Sequence, residues 1–274
     1  VTGRFSYSNP NLQQIPARHG ILGPLIRSIF IPEKDCEWGI FDYSQQEPRL
    51  VVHYASLRHF TGAGKFVDSY QEDETTDFHT MVSEMADIPR KQAKTINLGL
   101  FYGMGKGKLM SQLGVNLETA SELLASYNER VPFVKQLMND TMNKAGKKGY
   151  LSTLEGRRCR FDQWEPTNEW GQKSLPLAEA QQQYGEHMIK RAWTYKALNR
   201  LIQGSAADQT KKAMLELDKE GYLAHIQVHD ELDFSVASDA DKAKIKDIME
   251  NCVELSVPSK VDVECGDNWG DAGD

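Results

Sequence analysis

The chain has 274 residues, enough for one large domain or two closely associated domains with a substantial core. Its formal net charge of -7 excludes a surface that is basic throughout, so any contact with nucleic acid has to be local. The four cysteines are far apart and form no CxxC pair, which argues against a zinc site or a disulfide framework and favours reduced thiols in a cytosolic setting. No run of 18 apolar residues and no signal-peptide core is present, so we expect no membrane segment.

The predicted elements place strands near both ends of the chain and helices in the middle. After an extended, Pro- and Gly-rich start, EWGIFDYS predicts a strand, and QQEPRLVVHYASL predicts a helix in which Pro48 suits the first turn. Residues 77–160 are predicted to be largely helical. The later elements are a polar helix near 177–200, a helix near 204–219, strands within 222–236, a helix near 239–255 and a last strand at KVDVECG.

The segment PRKQAKTINLGLFYGMG predicts a helix with a distinctive face. Asp87 is expected to be its N-cap and Pro89 an early helical residue. The face consists of two cations, an apolar residue and an aromatic residue at four-residue intervals: Arg90, Lys94, Leu98 and Tyr102. No acidic residue four positions away pairs with Arg90, and unpaired cations one turn apart suit a polyphosphate, whereas the alternative is a solvated cationic face.

The stretch IQVHDELDF predicts two short strands joined by a tight turn, with His229 and Asp230 at its tip. On this stretch alone an ordinary turn is the simpler interpretation, because Asp is a common turn residue. Asp42 ends another predicted strand. If the two strands lie side by side, the two carboxylates could share Mg²⁺ ions, which prefer oxygen ligands, and two such ions suit an in-line phosphoryl transfer.

Several segments resemble the conserved motifs of family A DNA polymerases, in the family's order. DYSQQEPRL is similar to the first palm motif, RKQAKTINLGLFYG to the second, RxxxKxxNFGxxYG, and QVHDEL to the third. TGRFSYSNPNLQQIP, LEGRR and LNRLIQGSAAD are also similar to family segments, so the resemblance covers almost the whole chain.

The resemblance implies roles for residues around the two carboxylates. Asp42 and Asp230 would bind two Mg²⁺ ions, with the backbone carbonyl of Tyr43 as a further ligand and Glu231 beside them. Glu47 would be the steric gate that excludes a 2′-hydroxyl. The catalytic set implied is Asp42, Asp230, Glu231 and Lys94.

The resemblance also assigns nucleotide and DNA contacts. The incoming triphosphate would be held by Arg90 and Lys94, with His79 and Gln45 assisting, and Tyr102 would lie at the nascent base pair. The residues implied to contact DNA are Arg4, Asn199, Gln203 and His229 on the primer and minor-groove side, and Arg157 and Arg158 on the template side. The basic run at positions 144–160 fits contact with the duplex backbone, with a solvated loop as its alternative.

Three positions depart from the family pattern. Leu98 stands where the family usually has Phe or Tyr, at a position linked to discrimination at the sugar 3′ carbon, and leucine there is familiar among phage enzymes. Gln46 replaces an apolar residue and Pro48 replaces the usual Leu. We expect both to alter local packing more than chemistry.

The resulting prediction is an α+β fold, with an antiparallel palm sheet flanked by helices and an inserted α-helical fingers subdomain. The expected domains are palm (1–56), fingers (57–194) and palm again (195–274), with no thumb or exonuclease domain, as in a fragment of a longer protein. The implied location is the cytoplasm, that of the host cell if the protein is phage-encoded.

The implied function is template-directed addition of deoxynucleotides to a primer 3′-hydroxyl with release of pyrophosphate, in replication or repair. The expected partners are primer-template DNA and dNTPs, and a processivity factor, helicase or primase would act alongside. Two alternatives remain. One is a single-subunit RNA polymerase, against which Glu47 and the HDEL tetrapeptide argue, and the other is a catalytically weak DNA-binding remnant.

Overall fold

A computed structural model describes residues 2–16, 19–169 and 171–273. The chain divides into two compact units. The sheet unit comprises Gly3–Leu50, Ser69–Thr75 and Ala206–Asp274, and the helical unit comprises Val51–Asp68 and Thr76–Ser205, together with Thr2. No helix among the described residues is long and apolar enough to cross a membrane.

The described residues form twelve α-helices and nine strands. The helices are α1 (Leu22–Arg27), α2 (Gln46–Ser56), α3 (Ala63–Glu72), α4 (Phe78–Ala86), α5 (Arg90–Phe101), α6 (Lys106–Leu113), α7 (Leu117–Arg130), α8 (Pro132–Lys148), α9 (Leu177–Tyr184), α10 (Ala197–Lys219), α11 (Asp239–Asn251) and α12 (Trp269–Ala272). The strands are β1 (Glu37–Tyr43), β2 (Tyr150–Ser152), β3 (Arg158–Arg160), β4 (Gln163–Pro166), β5 (Leu175–Pro176), β6 (Ile189–Arg191), β7 (Ile226–Val228), β8 (Glu231–Val236) and β9 (Val261–Gly266).

The sheet unit is built on a four-stranded antiparallel sheet with the order β7-β8-β1-β9. Strand β1 comes from the start of the chain and lies between two strands from its end. The prediction of an α+β fold with an antiparallel sheet is therefore confirmed. The central position of β1 matters because it gives Asp42 a neighbour on each side.

Alternation along β1 sends side chains into two different cores, since successive residues of a strand point to opposite faces. One face carries Phe41 and Tyr43, which pack with α10 and α11 residues such as Leu217 and Met249. The other face carries Trp38 and Ile40, packed with Trp269 of α12. Asp42 follows on this second face, where the apolar core ends.

The helical unit encloses an aromatic core. Phe66, Phe78 and Phe133 are fully buried and pack at centroid distances of 5.0–6.4 Å, with Phe101 of α5 against Phe78. Helices α4 and α5 are thereby held side by side, which positions the exposed face of α5 and the His79 side chain.

Two details of the helix predictions were wrong. Asp87 is the left-handed C-cap of α4 (φ 53°), and α5 begins at Arg90 after Pro89 without a side-chain cap. The expected helix at 177–200 ends at Tyr184, because Gly185 adopts a positive φ of 89° and strand β6 follows. The middle of the chain also contains a hairpin, β2-β3, and a three-stranded sheet, β5-β4-β6, which its sequence pattern did not predict.

Candidate active site

Three acidic side chains lie side by side across the sheet at the end of β1. Asp42 is paired with Glu231 of β8 on one side and with Asp262 of β9 on the other. Residues directly opposite in an antiparallel pair point to the same face, so these carboxylates share one face of the sheet. The Tyr43 N–H donates to the Asp230 carbonyl at 3.3 Å, which brings the hairpin tip beside the same strand end. The structure therefore brings together Asp42, Tyr43, Asp230 and Glu231 as predicted.

A buried glutamine holds the tip of the β7-β8 hairpin. His229 has a left-handed φ of 58°, and Val228 pairs with Glu231, so the loop contains only His229 and Asp230. The Gln227 amide, 5% exposed, donates to the His229 carbonyl at 2.6 Å. Gln13 in turn donates to the Gln227 carbonyl and side-chain oxygens at 3.3 and 3.2 Å. Neither glutamine was assigned a role from sequence, although Gln227 lies within the third motif.

The carboxylates destabilise one another's charge. Burial and repulsion from Asp230 and Glu231 raise the pKa of Asp42, although its exposed surface lets solvent screen part of that effect. Burial also raises the pKa of Asp230, of Glu231 and of the fully buried Asp233. The site thus has an excess of negative charge.

An arginine opposes this charge from within the same unit. Arg27 of α1 lies over the Trp269 ring, 4.4 Å from its centroid, and its charge lowers the pKa of Glu231 and Asp233 against the effect of burial. Sequence reasoning did not find Arg27, because it lies in a segment whose pattern indicated only loop and which carries no motif.

The residues present fit a divalent cation. Oε1 of Glu231 is buried and has no hydrogen-bond partner among the described residues. The neighbouring Asp42 and Asp230 carboxyls have raised pKa values, which a bound cation would lower again. Hard oxygen ligands of this kind are those that Mg²⁺ takes. Among the described residues, no three His, Cys, Asp or Glu side chains converge as a complete metal site. A set of two aspartates with a backbone carbonyl is consistent with that observation.

The start of α2 carries the predicted gate residue. Glu47 forms an ion pair with Arg4, in which Arg4 Nη2 lies 2.7 Å from Glu47 Oε1, and the Glu47 side chain is 14% exposed. Gln45, just before the helix, has a left-handed φ of 52°. Gln46 is buried and donates to Gln209 of α10 at 3.2 Å, so this departure from the family pattern is accommodated by a polar contact.

Arg49 is an important residue to which the sequence reasoning gave no role. It is 2% exposed and donates to the backbone carbonyls of Ser44 at 2.9 Å, Pro258 at 2.7 Å and Glu74 at 2.6 Å. Its guanidinium also lies 4.5 Å from the Tyr70 ring centroid. Arg49 therefore joins the segment after β1 to two other segments of the sheet unit. Its place in the DYSQQEPRL motif was the available signal.

In the helical unit, α5 presents the predicted face to solvent. Arg90, Lys94 and Tyr102 are exposed and Leu98 is half-buried, whereas Ala93, Ile96 and Asn97 are buried. The expectation that Arg90 is unpaired was wrong. Its guanidinium makes a two-point contact with Asp77, with Nε to Oδ1 at 3.1 Å and Nη2 to Oδ2 at 2.8 Å. Asp77 is 13 positions away, so the helical spacing rule could not reveal it.

Asp77 and His79 connect α4 to this face. Asp77 caps α4 by accepting from the Thr80 N–H at 2.6 Å. Although burial opposes it, hydrogen bonds from Arg90 and Thr80 lower the pKa of Asp77 to about 2. Burial, with the nearby charges of Lys94 and Arg90, lowers the pKa of His79 to about 4. His79 is therefore neutral at pH 7, and its ring lies close to both cations.

The residues assigned to DNA lie in different settings. Asn199 and Gln203 are one turn apart on α10 and half-buried, and His229 is exposed. Arg158 is exposed on β3, over the Tyr150 ring. Arg157 donates to the carbonyls of Thr2 at 2.7 Å and Gly204 at 2.9 Å. Its guanidinium therefore already has a structural role, and its contact with DNA stays a prediction.

Comparison with known proteins finds relatives that match almost the whole chain. The chain is 39% identical, over 98% of its length, to a DNA-directed DNA polymerase of Pseudomonas phage M6, and 34% identical, over 98%, to the thermostable DNA polymerase I of Thermus aquaticus. These matches cover 43% and 31% of the two relatives, so the chain spans less than half of their length.

A solved structure and a family model extend the comparison. The POL domain of Pol1 from M. smegmatis, in complex with DNA primer-template and dNTP, superposes with a TM-score of 0.79 at 30% identity. That match covers 100% of this chain and 47% of the other. The model of DNA polymerase family A matches residues 1–271. The chain belongs to DNA polymerase family A.

Proposed function

We propose that this chain carries out template-directed DNA synthesis, adding deoxynucleotides to a primer 3′-hydroxyl with release of pyrophosphate. The observation that carries the proposal is the row of carboxylates at the end of β1, where Asp42 pairs with Glu231 beside the Asp230 turn. Family membership supports the same reaction, since the matched relatives are named as DNA polymerases.

Asp42, Asp230 and the Tyr43 carbonyl would hold two Mg²⁺ ions, with Glu231 adjacent. When bound, such ions supply charge neutralisation at the attacking and leaving oxygens of an in-line displacement. The protein's own contribution is to keep the carboxylates together on one strand end. Arg27 limits the repulsion that this arrangement creates.

The helical unit would bind the triphosphate of the incoming nucleotide. Arg90 and Lys94 project from the exposed face of α5 and supply positive charge, and His79 supplies a neutral donor. Binding of a triphosphate to Arg90 competes with its contact to Asp77. Tyr102, 39% exposed at the end of α5, offers a ring for stacking at the nascent base pair.

The remaining assignments follow from the resemblance. Glu47 would exclude ribonucleotides, Gln45 would assist nucleotide binding, and Leu98 would tune sugar selectivity. We assign the sheet unit to the palm and the helical unit to the fingers. The residues proposed to contact primer-template DNA are Arg4, Arg157, Arg158, Asn199, Gln203 and His229. A processivity factor, helicase or primase remains a proposed partner.

The test is incorporation of one nucleotide on a primed template with Mg²⁺, comparing Asp230→Asn with Asp262→Asn. The second variant removes a carboxylate from the row beside the Asp230 turn, but Asp262 is half-exposed and paired with Lys260 at 2.9 Å. We expect Asp230→Asn to lose at least a thousandfold in rate and Asp262→Asn to lose less than tenfold. Equal activity of Asp230→Asn and the unaltered chain would refute the proposal.

Two further measurements separate the alternatives. Incorporation of rNTPs as readily as dNTPs would indicate an RNA polymerase-like enzyme. Thermal unfolding with dNTP and Mg²⁺ tests for a remnant, because a ligand that binds the folded state raises Tm. No incorporation together with no Tm shift would favour a DNA-binding remnant.

A further inference from the structure

Three buried polar side chains form a continuous hydrogen-bonded chain inside the helical unit. The Tyr127 hydroxyl of α7 donates to Asn97 Oδ1 at 2.5 Å, and Asn97 Nδ2 lies 2.9 Å from His79 Nδ1. Tyr127 and Asn97 are fully buried, and His79 is 6% exposed. Each residue comes from a different helix, so the contact requires α4, α5 and α7 to pack together.

The donor-to-acceptor direction of these hydrogen bonds determines which His79 nitrogen carries the proton. Tyr127 donates its hydroxyl proton to Asn97 Oδ1, so the amide presents its N–H groups to the ring. The Nδ1 atom then has to accept, because a neutral imidazole has one donor and one acceptor nitrogen. Its proton consequently lies on Nε2, which makes no hydrogen bond within the described residues.

The surroundings keep the ring neutral. Burial and the charges of Lys94 and Arg90 outweigh the opposing effect of Asp77 and hold the pKa of His79 well below its usual range. A neutral ring with its proton on Nδ1 would offer a lone pair at Nε2, which repels a phosphate oxygen. A ring with its proton on Nε2 offers a donor beside two cations.

We propose that Asn97 and Tyr127 are positioning residues that fix the Nε2–H tautomer of His79, so that the ring donates to a phosphate oxygen of the incoming nucleotide. This inference rests on the proposed function, because it names how one residue of that site is prepared. Asn97 contacts His79 directly and Tyr127 contacts it only through Asn97, so neither has to contact the nucleotide.

The direct test is ¹⁵N NMR of histidine-labelled protein at pH 7, with the His79 signals assigned by their loss in His79→Gln. We expect the Nε2-protonated pattern in the unaltered chain. Asn97→Asp, whose carboxylate can only accept, should move the proton to Nδ1. Tyr127→Phe should give a mixture, since the amide is then free to rotate. The matched control Tyr54→Phe, which removes the buried hydroxyl contact to Ser205, should leave the His79 signals unchanged.

Binding of inorganic tripolyphosphate shows whether the tautomer matters for phosphate. We expect Asn97→Asp to raise its Kd about tenfold or more, the loss of one charge-assisted hydrogen bond. The added carboxylate could weaken binding by itself, so the substitution is repeated in a His79→Ala background. An effect that disappears there supports the proposal, and an effect of equal size in both backgrounds overturns it.

Different experimental results would overturn this inference and the proposed function. A proton on Nδ1 in the unaltered chain overturns the tautomer assignment even if nucleotide incorporation is normal. An Nε2 proton together with absent incorporation leaves the tautomer assignment standing and contradicts the polymerase proposal.

Discussion

Replacement of Arg49 by lysine is expected to destabilise the protein strongly although the charge is retained. The guanidinium reaches three backbone carbonyls at 2.6–2.9 Å from a position that is 2% exposed. A lysine ammonium is a compact donor and does not reproduce the planar fork that reaches several acceptors at once. We expect it to satisfy one of the three carbonyls.

The expected loss in the free energy of unfolding follows from the contacts that lysine does not make. Two hydrogen bonds to a charged donor contribute about 1.5–3 kcal/mol each, and two of the part-buried carbonyls lose this donor. Loss of the guanidinium over the Tyr70 ring adds about 0.5–1 kcal/mol. Because lysine still fills part of the space, we expect a loss of about 4 kcal/mol in the free energy of unfolding, or roughly 10 °C in Tm.

Urea unfolding followed by circular dichroism, with a thermal scan, measures this loss. Arg160→Lys is the control, because Arg160 is exposed on β3, and substitutions at such positions are usually within about 0.5 kcal/mol. A loss below about 1 kcal/mol for Arg49→Lys would show that the three carbonyl contacts do not hold these segments together.

Three further outcomes are expected. Asp77→Ala should lower the free energy of unfolding by about 1–2 kcal/mol through loss of the α4 cap, and should tighten tripolyphosphate binding by releasing Arg90, as titration calorimetry would measure. The pKa of His79 is lower in the folded protein (about 4) than in the unfolded chain (about 6.5), so the contribution of His79 to stability is fully present above pH 6.5 and is lost as the pH falls towards 4, by up to about 3 kcal/mol. Urea unfolding across that range should show a shallower decline in His79→Gln, and parallel curves would contradict this reasoning. Gly103→Ala should lower Tm through a loss of about 2 kcal/mol or more, because φ is +67° and the added Cβ would meet the Tyr195 carbonyl.

Elements with strong local patterns were correctly predicted from the sequence. The alternation around Asp42 and around Asp230 gave β1 and the β7-β8 hairpin, and four-residue spacing gave the exposed face of α5. These signals are short-range, because side-chain direction repeats every two residues in a strand and about every 3.6 in a helix. The small strands between Tyr150 and Arg191 are only two to four residues long and left no comparable pattern.

The sequence by itself determined the family, the fold class and the identity of the acidic and basic residues, because those depend on residue order and local periodicity. Only the tertiary structure decided which of these residues contact one another. It set Asp42 between Glu231 and Asp262, paired Arg90 with an aspartate 13 positions away, and buried Asn97 against His79. Such pairings depend on which distant segments fold against one another, and a pattern read along one segment carries no information about them.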